Sequence, residues 1–238
     1  MILSELIWKY LLKGSFVRVI NGAHIQIAND AKIINSKIIA APGTNIVIKD
    51  GCIIRNVEIY VDKGALLIGN NSILISEKDH LKIFVNNGSV EIADHSKLAC
   101  KRVWVRFGGN LSIGSYTNVN GGSEIRCDES VEIGSYNQIS YNVRIWDTNT
   151  HSILPPEVRR EIARDKFPYF GYESERPVTA PVKIGDDCWI GENAAIFKGT
   201  EIGDGSIVGF GTFVTNKKIP ARSTVINERP LRIIPIKD

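Results

Sequence analysis

The chain has 238 residues, 43% of them hydrophobic, and its 29 basic and 26 acidic side chains leave a formal charge of +3. That is enough apolar material for one sizeable domain, and the near-balance of charge gives no uniform basic face of the sort that grips nucleic acid by neutralising phosphates, which excludes nucleic acid as a partner. No run of 18 apolar residues and no signal peptide with a cleavage site is present, so a soluble, cytoplasmic chain is expected.

In chain order, the first predicted element is a short amphipathic helix within residues 1–18. Leu3, Leu6, Ile7, Tyr10 and Leu11 follow three–four spacing, with Lys9 and Lys13 on other faces. Such a helix suits a cap over the end of a strand-rich solenoid, where it blocks edge-to-edge aggregation. The alternative is a peripheral anchor at the inner face of a membrane.

Residues 19–219 are repetitive. A signature of the form apolar-x-Ile-(Gly/Ala)-x-x-small is centred on Ile27, Ile48, Ile68, Ile92, Ile113, Ile133, Ile184 and Ile202, with steps of 21, 20, 24, 21, 20, 51 and 18 residues. Near the end the pattern tightens: Ile184, Ile190, Ile196, Ile202, Val208 and Val214 stand six residues apart. A period of six fits neither a helix of 3.6 residues per turn nor one long strand. It fits a prism of short strands in which every sixth side chain points at a central axis. Three hexads make one coil of 18, so the predicted fold is all-β, a three-sided parallel β-helix.

The step of 51 holds one coil plus an insertion. The hexad phase runs Ile133, Ile139, Ile145, fails just before His151 and resumes at Val182 and Ile184, which sets the inserted loop at 152–181. A charged stretch from Glu157 to Lys166 can form a short helix, and Phe167-Pro-Tyr-Phe-Gly-Tyr172 follows it. Long loops on compact domains serve as lids or binding arms, so this loop is where an acceptor substrate is expected. Residues 220–238 read as a tail. The four cysteines, Cys52, Cys100, Cys127 and Cys188, lack CxxC pairing and occupy small interior positions, as reduced core thiols do.

The stretch PVKIGDDCWIGENAAIFKGTEIGDGSIVGFGTFVTNKKIP, residues 181–220, resembles the hexapeptide-repeat, left-handed β-helix acyltransferases, and bacterial polysaccharide or sugar O-acetyltransferases in particular. The resemblance implies a left-handed coil, a homotrimer with active sites between subunits, and acetyl-CoA as donor to a saccharide or sugar-nucleotide acceptor. It implies that His151 is the general base: an imidazole near its natural pKa can take the proton of an acceptor hydroxyl as that hydroxyl attacks the thioester. By the same resemblance Asn120 and Asp128 fall where acceptor-contacting residues lie, and Trp189, directly before an axial Ile, falls beside the active site. Asp147, four residues before His151, is a candidate to orient the imidazole. Gly191, Ala195, Gly209 and Gly211 are candidates for close approach of the pantetheine arm. Lys217, Lys218, Arg222, Arg229 and Arg232 are candidates for the CoA phosphates. The resembling enzymes carry a Gly-Asn-Pro-Ala-like turn where this chain has Ile226-Asn-Glu-Arg-Pro230.

One neighbouring function and two of different classes compete. N-acetyl transfer to an amino-sugar nucleotide uses the same base and donor, and a non-catalytic trimeric scaffold would need only the β-helix. A zinc enzyme of the γ-carbonic anhydrase kind needs three converging histidines. His24, His80, His95 and His151 are scattered, so no metal is expected.

Overall fold

A computed structural model of the chain describes residues 12–77, 79–168 and 175–228. Within them the strands form three parallel sheets of ten, nine and nine strands, and the chain visits the first, second and third sheet in strict rotation. Among the described residues the architecture is a three-sided parallel solenoid, as the sequence period requires, with one helix, Pro156–Asp165.

The hexad residues are the axis. Ile184, Ile190 and Ile196 sit on the third, first and second sheets, and each pairs in register with its equivalents one coil away: Ile133 and Ile202, Ile139 and Val208, Ile145 and Val214. All nine are buried. Branched side chains stacked at the strand spacing of roughly 4.8 Å leave no room for water, so each buries its full apolar surface. The four cysteines belong to the same buried core; they are unbridged, and burial pushes their thiols up, that of Cys100 to about 12.

Corners need backbone that turns sharply. Asn35, Asn56, Asn71, Asn142, Asn193 and Asn216 take left-handed φ between 44° and 59° at these points, a region that Asn tolerates better than most side chains. Buried hydroxyls and amides satisfy the corner backbone from inside. At the edge between the third and first sheets, Ser96 Oγ donates to the Gly114 carbonyl (2.7 Å) and accepts the Thr117 N–H (3.1 Å), and Thr117 Oγ1 donates to the Gly134 carbonyl (2.7 Å).

Three boundaries differ from the sequence reading. Leu12–Lys13 and Phe16–Val19 are strands that pair with Lys32–Ile34 and Lys37–Ala40, so the solenoid begins before residue 19, and the residues whose spacing predicts the helix within 1–18, Leu3 to Leu11, lie outside those described. Thr224–Val225 pairs with Ile207–Val208, so coiling continues past residue 219 into the expected tail. The insertion's helix starts one residue earlier than Glu157, because Pro156 fits the first helical position, where its missing N–H is no loss. No helix among the described residues is long and apolar enough to cross a membrane.

The axial column predicts a sharp contrast between neighbours. Ile196→Ala should lower stability by about 2–5 kcal/mol, whereas Glu201→Ala, on the outer face, should change it by no more than about 0.5 kcal/mol. Urea unfolding followed by far-ultraviolet circular dichroism measures both, and equal effects would refute the assigned register.

Candidate functional site

The strand Arg144–Trp146 lies in the second sheet between Glu124–Cys127 and Ala195–Phe197. After Trp146 the chain leaves the solenoid at the edge between the second and third sheets and returns as Val182–Ile184. The base of the insertion is a short antiparallel ladder: Thr148 bridges Thr179, the Asn149 N–H donates to the Val178 carbonyl and the Ala180 N–H to the Asp147 carbonyl, both at 3.0 Å. Thr179 Oγ1 also donates to Glu129 Oε2 in the coil below. Immediately beyond this ladder stands His151, an exposed side chain at the point where the insertion departs.

Two carboxylates lie beneath it, both fully buried. Asp147 accepts the N–H of Asp128 on Oδ1 (2.8 Å) and those of Glu129 and Ser130 on Oδ2 (2.7 and 2.8 Å). These bonds commit both of its oxygens to stitching one coil onto the next, a packing role in place of the imidazole-orienting one considered from sequence. Burial lifts its carboxyl from the ordinary 3.8 to about 6, with the three N–H bonds pulling the other way. Asp128 forms a two-pronged ion pair with Arg106, Nε to Oδ1 at 2.9 Å and Nη2 to Oδ2 at 2.7 Å. Its carboxylate is therefore enclosed and neutralised, so direct contact with an acceptor is closed to it.

The remaining expectations divide between edges. Asn120 is half-buried at the edge between the first and second sheets and accepts the Asn118 amide on Oδ1 (3.1 Å). Trp189 stands on the outer face of the first sheet, between Gln138 and Ile207, and is 57% exposed. Gly191, Gly209 and Gly211 follow along the Asn120 edge, and Ala195 opens the adjoining strand of the second sheet. The reason for two of these glycines is stacking of coils: a methyl built on Gly191 would lie 2.8 Å from the Val208 carbonyl oxygen, and one on Gly209 2.8 Å from Ile226 Cγ2. Gly211 differs, with open space around it and a φ of +62°, a region that glycine enters at no steric cost.

Among the cations, Lys217 sits at the His151 edge, and Lys218 faces out from the third sheet with Nζ 3.0 Å from Glu201. Arg222 lies at the third edge. Arg229 and Arg232 fall outside the described residues. Of the other histidines, His95 stacks on Tyr116 at 4.8 Å, in line with Tyr136, in earlier coils. No group of three or more potential metal ligands occurs among the described residues.

Between the two edges, the outer face of the second sheet carries a layer that the sequence reading passed over. Trp104, Arg126, Trp146 and Phe197 are in register on successive strands. The Arg126 guanidinium lies 4.3 Å from the Trp146 ring centre and 5.5 Å from that of Trp104, and Arg106 covers Trp104 at 4.5 Å. Burial raises the Glu124 carboxyl, yet its hydrogen bonds from Arg126 and Arg102 outweigh that and hold it below the ordinary carboxylate value. The available signal was alternation, Arg102-x-Trp104-x-Arg106 and Glu124-x-Arg126, repeated one coil apart.

Comparison with known proteins bears on the repeat and the fold. Residues 181–216 match the family described as the hexapeptide repeat of succinyl-transferase. This stretch belongs to the hexapeptide-repeat family. Galactoside O-acetyltransferase of Escherichia coli (strain K12) is 32% identical over 132 residues, which is 56% of this chain and 57% of that protein. The acetyltransferase-like YvoF of Bacillus subtilis (strain 168) is 27% identical over 161 residues, 66% of this chain and 80% of its own. The chain thus spans about half the length of the first curated relatives it matches, 57% and 49%. The crystal structure of the polySia-specific acetyltransferase NeuO superposes with a TM-score of 0.52 at 18% identity, covering 90% of this chain and 78% of that one, a likeness of fold. The repeats therefore build a solenoid of the left-handed β-helix type.

Asp147 generates a pH prediction. Its raised carboxyl makes the native chain bind a proton between pH 3.8 and about 6 that the unfolded chain releases. The stabilisation is complete below that window and is lost as pH rises through about 6. Melting midpoints of wild type and Asp147→Asn from pH 4 to 8 should differ in slope across this window. Parallel curves would assign the titration to another group.

Proposed function

We propose that this protein transfers an acetyl group from acetyl-CoA to a hydroxyl of a saccharide, and that His151 is the general base. The observation that carries the reading is the placement of His151, exposed at the edge where a long insertion leaves a solenoid whose repeats match those of sugar acetyltransferases. His151 accepts the proton of the acceptor hydroxyl while its oxygen attacks the thioester carbonyl. The tetrahedral adduct then collapses, the carbon–sulfur bond breaks, and the imidazolium returns the proton to the departing CoA thiolate. Atoms and charge balance without a covalent enzyme intermediate.

One chain holds the parts at two separate edges, and a homotrimer resolves the separation. Three parallel prisms around a threefold axis each turn one face inward, and each edge bounding that face meets an edge of the neighbour. With the second sheet inward, the His151 edge of one subunit lies opposite the edge of the next that carries Asn120, Gly191 and Gly211, with Trp189 flanking it. The polar outer face of the third sheet, with Glu132, Lys183, Glu201 and Lys218, then faces water, as its charges favour. The pantetheine arm runs along the groove, where Gly211 leaves open space and Lys217 of the facing edge is in place for a phosphate. The insertion closes over the acceptor, and a role in surface-polysaccharide synthesis in the cytoplasm follows from the saccharide reading.

The test is transfer from acetyl-CoA to a panel of saccharides, amino sugars and sugar nucleotides, read by thiol release and product mass. His151→Ala should lower turnover by about 10²–10⁴ while CoA affinity by calorimetry stays unchanged. Near-normal turnover in that variant removes His151 from the role, and acetylation confined to amines replaces the hydroxyl acceptor.

A further inference from the structure

Other corners of this solenoid turn on backbone, Asn, Ser, Thr and Gly, and where a carboxylate takes a corner N–H, as Asp30, Asp94, Asp186 and Asp204 do, it is exposed or half-buried. One coil above the insertion, the same edge is made by Lys198, Gly199 and Thr200 with a glycine φ of +74° and no buried ion pair. The corner below His151 gathers two fully buried carboxylates and a nearly buried arginine, whose side chain is 12% exposed. Buried charge is costly even when paired, so stability alone is a poor reason for the arrangement.

What the arrangement holds is the peptide just before His151. Arg106 spans three coils: it rises from its own, grips Asp128 in the next, and directs Nη2 to the Thr150 carbonyl oxygen (3.5 Å) in the third. Thr150 is buried, its N–H is taken by Thr148 Oγ1 at 3.0 Å, and its φ is +66°. A β-branched residue in the left-handed region is strained and persists only where its surroundings fix it. Asp147 fixes the other side by pinning residues 128–130, which keeps Asp128 at the height Arg106 needs.

We propose that Arg106, seated on Asp128, is a positioning residue that holds the Thr150 carbonyl and thereby sets where the His151 side chain leaves the corner. The proposal rests on the reading of His151 as the base. It gives Asp128 a task away from the acceptor, and it puts the last clamped residue directly before His151.

The experiment uses the full-length protein with Arg106→Gln, Arg106→Lys, the neutral pair Arg106→Gln/Asp128→Asn, and His151→Ala alongside. A displacement of the base by about 1 Å costs on the order of 100-fold in rate. Arg106→Gln should accordingly lower kcat by about 10- to 100-fold with the acetyl-CoA KM within about twofold. Arg106→Lys keeps the charge against Asp128 but not the planar fork, and should recover part of the loss. Hydrogen exchange should quicken at residues 149–152 in Arg106→Gln and stay unchanged at 182–215. Should Arg106→Gln fail to fold with Asp128 left unpaired, the neutral pair carries the same expectations. Unchanged kcat and unchanged exchange in a folded Arg106 variant, with His151→Ala inactive, overturn the positioning claim alone. Full activity in His151→Ala overturns the reading beneath it, and exchange at 149–152 then still decides whether Arg106 holds this corner.

Discussion

Each coil must set its axial side chain directly over the one below, and the rest of the molecule follows from that demand. Ile145 over Ile125 and under Ile196 fixes the strand register to the residue. A slip of one position would turn every interior side chain out to water and every charge inward. Because register is locked, outward residues are locked as well. Trp104, Arg126, Trp146 and Phe197 form a column for no reason but that their axial neighbours do. The solenoid thereby converts spacings near 20 residues into adjacency, and a site can be assembled from positions far apart in sequence.

That conversion also decides what sequence reading can reach. The axial run from Ile184 to Val214 is legible because its period is short and every member is aliphatic. The edge of departure at His151 is legible because the period fails there. The partners of Asp128 and Asp147 are not, since they depend on which residue stands exactly one coil away, and coil lengths vary from 18 to 24 with the corner loops. A carboxylate four residues from a histidine invites a local pairing. The structure instead spends Asp147 on three amides of the coil below. Gly191 carries a similar lesson: the bare backbone that suits a narrow ligand is already required by the carbonyl of Val208. Where a residue type has two physical uses, the nearer contact decides between them, and that contact is three-dimensional.

The outer face of the second sheet illustrates how charge is accommodated on a solenoid while largely covered. Arg102 and Arg126 share Glu124, Arg106 takes Asp128, and the guanidinium planes lie over indole rings. Stacking suits arginine because its planar, weakly hydrated cation loses little by covering an aromatic face, while its edge N–H groups stay available to carboxylates. The result is a stiff sheet surface bordering the edge that carries His151.

Stiffness matters there because the insertion works against it. Closing a loop of about 30 residues carries an entropic cost of about 3 kcal/mol, borne at the two points where the chain leaves and rejoins the solenoid. An apolar corner resists that pull only through contacts that slide at small cost. An ion pair with fixed fork geometry, a carboxylate held by three amides and a two-bond antiparallel ladder resist it directionally. Displacement by a fraction of an ångström breaks a hydrogen bond but leaves an apolar contact intact, so polar groups hold position where hydrophobic ones only exclude water. The chain accepts buried charge at the corner where the long insertion leaves the solenoid.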